Sequence, residues 1–595
     1  MTAEPEKKVV VIGAGPAGLT AAYQLTRHNL PPVVLEQNDK VGGIACTENY
    51  KGYYFDMGGH RFFTKADEVK TFWRETLGDD FLRRRRLSRI FYRGRFFHYP
   101  LKIMNAFLGL GLWQAILILL SYIKWQIFPY KQVVTFEHWV TNRFGRRLFE
   151  IFFKTYTEKV WGIPCSELRA EWAAQRIKDL SLKSALISVF VKPREAIATL
   201  IEEFDYPRLG PGMLWNQVRE RIEQRGGTVH LNSPVTKIHR TGNRIDYVVA
   251  SRNGGGETVI PGTDFISSMP VSEFIKKLDP APAAVLDAAN KLAYRDFLIV
   301  CLIINRRNLF PDNWIYVHSP NVRVGRIQNF KNWSPDMVPD VTKTSLGLEY
   351  FCTEGDDIWS MPDGQLVELA RRELKQIGLA DSSDVIEGCV YRVPKAYPVY
   401  NSTYHGYLQI IREFLDGLEN FQTIGRNGLH RYNNQDHSMI TGMLAVRNVV
   451  FGEKNDIWAV NSDLRYQEEI QPDERKKDEK RLAETITRVF PKLDPVSFGL
   501  SAGITGGLGV FLATLFLVFN GGETIAPYVE LFGYFLPGFT VSLWGALMGL
   551  VDMFMLGFVF GSAAAYFRNL MVFVSARMIH QDIELQLLQR LFDFD

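Results

Sequence analysis

Several common signatures are missing from this chain of 595 residues, and each absence removes a class of function. Its five cysteines, Cys46, Cys165, Cys301, Cys352 and Cys389, are odd in number and far apart, without a CxxC or a Cys/His ligand spacing. That pattern argues against a disulfide framework, and predicts free thiols in a reducing compartment and no metal site. There is no GxSxG, no HExxH and no P-loop, so serine hydrolase, zinc protease and nucleotide-triphosphatase chemistry lack their motifs. No repeat or low-complexity tract interrupts the chain. The formal net charge is only +4, and apart from the run Arg83 to Arg86 the basic residues are scattered, so no nucleic-acid partner is expected. The amino terminus moves from a charged lead directly into an apolar strand, without a secretory core, and the catalytic part is expected to stay where it is made.

What is present begins with "KVVVIGAGPAGLTAAYQL", a strand followed by Gly13, Gly15 and Gly18 opening a helix. The first glycine makes the tight turn, the second admits a pyrophosphate to the backbone, and the third lets helix and strand pack closely. The helix start offers amide donors to the phosphates. Glu36 ends the next strand at the distance where a carboxylate holds a ribose hydroxyl pair, and Gly42 and Gly43 follow. "FDMGGHRFF" then places Gly58, Gly59 and His60 between aromatic residues. Two glycines there would let the main chain approach the ring of a bound cofactor. His60 would lie against that ring, either donating a hydrogen bond and tuning its charge or only packing.

The carboxyl-terminal region is apolar. Phe498 to Phe519 is uncharged and long enough to cross a hydrocarbon core of about 30 Å as a helix. A second stretch, Leu531 to Phe567, could span with a tilted or Pro537-broken entry. The connecting loop has no Lys or Arg, whereas Arg488 and Lys492 precede the first stretch and Arg568 and Arg577 follow the second. This bias predicts a multi-pass membrane protein with its catalytic part cytoplasmic. Asp552, inside the second stretch, either pairs across the hairpin or marks a functional site. A third apolar stretch, Ala106 to Ile123, contains Gln114 and is read in two ways: a helix lying in the membrane face, or a buried core helix.

The glycine doublet after Glu36 resembles that of FAD enzymes of the amine-oxidase and UDP-galactopyranose-mutase superfamily. Further stretches resemble eukaryotic-type UDP-galactopyranose mutases: "FDMGGHRFF", "KVWGIPCSELRAEWAAQRI" with Arg176, "WIYVHSPNVRVGRIQNFKNWSP" with Tyr316 and Arg326, "AYPVY" with Tyr397, and "GRNGLHRYNNQDHSMITG". The resemblance implies an α/β chain with a discontinuous Rossmann-type FAD fold and a mixed α+β substrate domain, to which this sequence adds the two-helix transmembrane hairpin. FAD would be held by Gly13, Gly15, Gly18, Glu36, Gly42, Gly43, Gly58, Gly59, Val235, Gly425, Arg426, Asp436 and Ser438, with NADPH or another reductant keeping it reduced. His60, Arg176 and Arg326 would be catalytic, the arginines taking charge from a departing diphosphate. Tyr99, Lys102, Tyr316, Tyr397 and Tyr432 would line the substrate.

The activity so implied is a mutase-like rearrangement without net redox change, through a sugar adduct at N5 of reduced flavin. Where the family has Tyr-Pro-Phe-Gln this chain has "YPLK", and a lysine cannot copy an amide's paired donor and acceptor. Lys102 and the apolar hairpin together favour a phosphate-activated sugar kept at the bilayer, such as a polyprenyl-phosphate sugar, beside the UDP-sugar alternative. Membrane lipids are the other expected partners. The rival reading is an oxidase or desaturase of the same superfamily acting on a lipophilic substrate. The expected division is 1–105, 226–300 and 396–470 for FAD, 106–225 helical and membrane-facing, 301–395 a substrate sheet, 471–497 a linker, 498–567 the hairpin and 568–595 a cytoplasmic tail.

Overall fold

The computed structural model describes residues 7–99, 103–170, 203–252, 255–461, 493–520 and 529–592. Residues Met1–Glu469 form one compact unit and Ile470–Asp595 another.

In the first unit the β-branched run Val9–Ile12 is buried on both faces, as a central parallel strand requires. It pairs in parallel with Val33–Leu35 on one side and Asp264–Ser267 on the other. Thr228–His230 and Phe421–Thr423 complete the five parallel strands as the two edges. The cofactor sheet is therefore assembled from four separate parts of the chain, the discontinuity expected from the sequence. Gly13 turns the chain with φ +98°, and its amide donates to Leu35 O at 2.8 Å. Helix Pro16–Arg27 starts there, with proline already fixed in helical φ. A Cβ on Gly18 would lie 1.9 Å from Gly13 O, so only glycine lets this helix settle on its strand.

A second, seven-stranded sheet runs in the order Val385–Pro398, Tyr294–Ile304, Thr344–Cys352, Arg326–Asn329, Trp314–Val317, Ser88–Tyr92, Arg95–His98. The last two strands fall in the segment assigned by sequence to the FAD part, yet they extend the substrate-side sheet. The Arg83 to Arg86 run is also resolved: strand Phe81–Arg85 pairs with the acidic strand Glu203–Pro207, and Arg83 Nε donates to Asp205 at 2.7 Å. Arg84 Nε donates to Trp333 O at 2.9 Å, and the Arg86 guanidinium lies over the rings of Tyr99 and Trp314.

The stretch Ala106 to Ile123 is not a core helix. It is part of two helices, Ile103–Leu110 and Leu112–Ile127, broken at Gly111 with φ +88°, and much of the second lies open to solvent.

In the second unit, Pro495–Phe519 and Leu543–Asn569 are helices long and apolar enough to cross a membrane. The second begins at Leu543 rather than Leu531, because Val529–Tyr534 forms a 3-10 turn and Pro537 and Gly538 (φ +79°) precede the helix. The two helices pack through glycines on the first, and Cβ atoms on Gly499, Gly503 and Gly507 would each come within 2.7 Å of the opposing backbone carbonyls. One carboxylate oxygen of Asp552 is buried without a hydrogen-bond partner among the described residues.

Candidate active site

A single cavity of about 860 Å³ lies between the two sheets. Gly13, Gly15, Glu36, Gly43, Gly58, Gly59, His60, Val235, Gly425, Arg426, Asp436 and Ser438 line it, and so do Tyr316, Arg326, Tyr397 and Tyr432. Residues drawn from the whole length of the first unit thus meet at one place. Gly18 and Gly42 stand behind the wall and shape it. Arg176 and Lys102 lie outside the described residues.

The cofactor end is built for a dinucleotide. Gly43 sits against Gly15 so closely that a Cβ on it would approach the Gly15 Cα to 3.3 Å, leaving bare backbone at the mouth of the glycine turn. Glu36 is buried and accepts from Ala14 N at 2.7 Å and from Asn38 N at 3.0 Å. Burial raises its carboxyl pKa above the ordinary range, partly offset by those amide donors. A second helix, Gln435–Phe451, also begins at this cavity, capped by Asn434, and Gly442 lets it pack onto Ala17. Two helix N-termini therefore open onto one cavity, the arrangement that favours phosphate and any anionic part of a bound cofactor.

Gly58 has φ +97°, which disfavours any side chain, but a Cβ there would meet only ordinary contacts with Arg326 and Phe297. At Gly59 a Cβ would come within 2.9 Å of the Gln328 amide. The glycines thus satisfy backbone conformation and the Gln328 side chain. His60 Nε2 lies 2.9 Å from Met57 O. Burial, with Arg426 and Arg326 nearby, lowers its pKa to about 4, so the imidazole is neutral at physiological pH.

At the other end, Arg326 is less simple than a free cation. Its Nε lies 2.9 Å from both Glu349 oxygens and its Nη2 2.5 Å from one of them, and Glu349 is fully buried. Burial alone would lower the guanidinium pKa, but the carboxylate holds it well above its usual value. Gln328 Nε2 donates to the same carboxylate at 2.9 Å. Tyr316 stands opposite Arg326 across the strand pair. Tyr397 and Tyr432 stack at 5.5 Å between ring centres, with the Arg426 guanidinium 4.5 Å from the Tyr432 ring. Tyr99 is partly exposed, with its ring 4.9 Å from that of Tyr316. Lys159, in the Lys-Val-Trp stretch, donates to Ser319 O at 2.8 Å and Val324 O at 3.1 Å, fixing the loop between the strands of Tyr316 and Arg326.

Sequence reasoning missed Glu349, Gln328, Trp314 and Phe297. The signal for Glu349 was its place as the one acid in the apolar strand "TSLGLEYFC", where a buried carboxylate requires a cationic partner.

Together, two sheets, a glycine cradle and paired helix N-termini define a flavoprotein that holds FAD between a nucleotide-binding sheet and a substrate-side sheet. The chain belongs to the flavin-containing amine oxidoreductases, whose family model matches residues 16–430, and FAD is its cofactor. Among curated proteins it is similar to 15-cis-phytoene desaturases. That of an Oncidium hybrid cultivar is 24% identical over 400 residues, covering 62% of this chain and 64% of the relative. That of Synechococcus elongatus is 23% identical over 428 residues, 66% of this chain and 81% of the relative. This chain thus spans less than two thirds of the Oncidium enzyme. Among solved structures, a reduced UDP-galactopyranose mutase superimposes with TM-score 0.68 at 22% identity, over 78% of this chain and 99% of that one. A putrescine oxidase variant gives 0.52 at 15% identity, over 75% and 99%. At such identities the likeness establishes the fold.

Proposed function

We propose that this is a membrane-anchored, FAD-dependent, mutase-like enzyme acting on a phosphate-activated sugar, with its catalytic part cytoplasmic. The observation that carries the reading is the polar wall at the substrate end of the cavity. Arg326, Gln328 and the phenols of Tyr316, Tyr397 and Tyr432 meet there, and a hydrocarbon chain offers such groups no partner. A sugar with a phosphate leaving group offers hydroxyls and anionic oxygens to each of them.

Bound and reduced, FAD would supply nucleophilic chemistry toward the sugar's anomeric carbon. The chain's own residues do the rest. Arg326, fixed by Glu349, and Arg176 receive the phosphate oxygens as the bond to the sugar breaks. The stacked tyrosines orient the ring and donate hydrogen bonds without adding charge. Neutral His60 holds the turn of Gly58 and Gly59 through Met57 O and serves as a hydrogen-bonding group rather than a cation. NADPH or another reductant would keep the cofactor reduced. The two apolar helices and Lys102 support a lipid-linked donor over a soluble nucleotide sugar.

A second reading, hydride removal from a lipophilic substrate, is favoured by the sequence likeness to phytoene desaturases. One experiment separates them. The protein, purified in detergent and reduced anaerobically, is offered UDP-galactopyranose or a polar-lipid extract in the presence of cyanoborohydride, and the released flavin is weighed. A flavin heavier by one sugar is expected. Unaltered flavin from both donors, with oxidised flavin becoming reduced as a lipid is desaturated in a separate anaerobic incubation without cyanoborohydride, would establish the second reading.

A further inference from the structure

Helix Leu112–Ile127 is amphipathic in the wrong sense for a soluble protein. Its outward stripe is Trp113, Ile116, Leu120, Ile123 and Ile127, spaced by three and four residues and between 41% and 70% exposed. Its inward face sets Ile118 in the core, between polar groups that bond to the body. Gln114 accepts from Arg147 Nη2 at 3.0 Å, and Ser121 Oγ accepts from Arg147 N at 3.1 Å. Gly145 packs directly on the helix backbone, since a Cβ there would lie 2.9 Å from Tyr122 N and Cα. The helix is thus held to the body by Ile118, hydrogen bonds and close backbone packing, while the outward stripe stays exposed among the described residues. An exposed row of this kind marks an interaction surface.

The charges beside it select the partner. An open hollow of about 600 Å³ next to the stripe is lined by Leu117 and Leu120 and by Lys124, Arg146, Arg147 and Glu150. Glu137 and Glu150 take up Arg146, whereas Arg147 is held by the neutral amide of Gln114 and lies 3.9 Å from a Glu150 oxygen. The hollow therefore combines apolar walls with a net excess of positive charge, which suits a phosphate headgroup above acyl chains.

We propose that the outward face of Leu112–Ile127 docks on an anionic phospholipid bilayer, with a lipid headgroup phosphate seated between Lys124 and Arg147. This surface belongs to the catalytic unit and is independent of the two carboxyl-terminal helices. The helix pair that carries it follows the edge strand Arg95–His98 of the substrate-side sheet, and Gly109 lies so close to Phe97 that a Cβ would come within 2.4 Å of its ring. The sheet that presents Tyr316 and Arg326 to the cavity would thus also be fixed at the lipid surface.

The test uses the full chain in nanodiscs containing a phospholipid with a carbene-generating group in its acyl chain, followed by peptide mapping. In discs of 30% phosphatidylglycerol, adducts are expected on the Trp113–Phe128 segment as well as on the two carboxyl-terminal helices. Discs of phosphatidylcholine alone should lower the adducts on Trp113–Phe128 several-fold. Lys124→Gln should lower them about fivefold in the anionic discs, the value of one basic residue near such a surface. Leu120→Glu with Ile123→Glu, at exposed positions that leave flavin content unchanged, should abolish them. Adducts confined to the carboxyl-terminal helices, or equal labelling of Trp113–Phe128 in both lipid compositions, would overturn the proposal, as would cross-linking of two chains through this stripe.

Discussion

The Arg326–Glu349 pair sets both the stability and the charge of the cavity. Removing one partner of a buried ion pair typically costs about 3–5 kcal/mol, because the other charge is left uncompensated. Glu349→Gln should therefore lower the thermal unfolding midpoint clearly while making the substrate end more positive by one charge, so that UDP binds more tightly by calorimetry. A variant that melts lower and binds UDP no better would show that Arg326 does not face the phosphate. The buried imidazoles add a pH dependence. Burial lowers the pKa of His60 and His430 to about 4 and that of His318 to about 3. For a base with a depressed folded pKa, the unfolded chain binds more protons, so stability is present above about pH 6.5 and declines as pH falls toward 4. Asp56 opposes this. Burial pushes its carboxyl up to about 7 against hydrogen bonds from Tyr206 and Thr47, and its contribution is lost as pH rises from the ordinary carboxylate range through 7. Glu36, also raised by burial, acts in the same sense as Asp56. Three imidazoles against two carboxyls predict a melting temperature that falls between pH 6.5 and 4, and Asp56→Asn should steepen that fall. A flat profile for both proteins would contradict the assignment.

At the scale of elements, the carboxyl-terminal hairpin depends on close glycine contact. Gly503→Ile would place a side chain where even a Cβ lies 2.7 Å from Phe554 O. The helices should separate and the hairpin become protease-sensitive in detergent, while flavin content stays unchanged; an unaltered digest would show that the contact is not needed. The elements that local rules govern were legible in the sequence. The glycine turn, Glu36 and the two apolar helices each declare themselves within twenty-five residues or so, because backbone sterics and hydrocarbon thickness act locally. Glu349 and Gln328 were not found, since their role arises only when Thr344–Cys352 and Arg326–Asn329 become neighbours in a sheet. The Pro537 break allowed for the second apolar stretch falls, with Gly538, ahead of the helix that begins at Leu543.

For the whole molecule, two apolar helices predict retention in the membrane pellet after alkaline carbonate extraction. Recovery in the supernatant would rule out spanning and leave only surface attachment. The cofactor sheet carries a further consequence, which concerns time. Its central strand, Val9–Ile12, has one neighbour made almost at once, Val33–Leu35, but the other, Asp264–Ser267, is far along the chain. At about 5–20 residues per second, a ribosome takes on the order of ten to fifty seconds to deliver it, and longer for Phe421–Thr423. Through that interval an apolar strand edge waits without its partner, exposed to misfolding, and the nascent chain has a correspondingly long need for a chaperone. The lining of the cavity reaches from Gly13 to Ser438, so tight cofactor capture can come only near the end of the catalytic unit's synthesis, shortly before the apolar helices leave the ribosome.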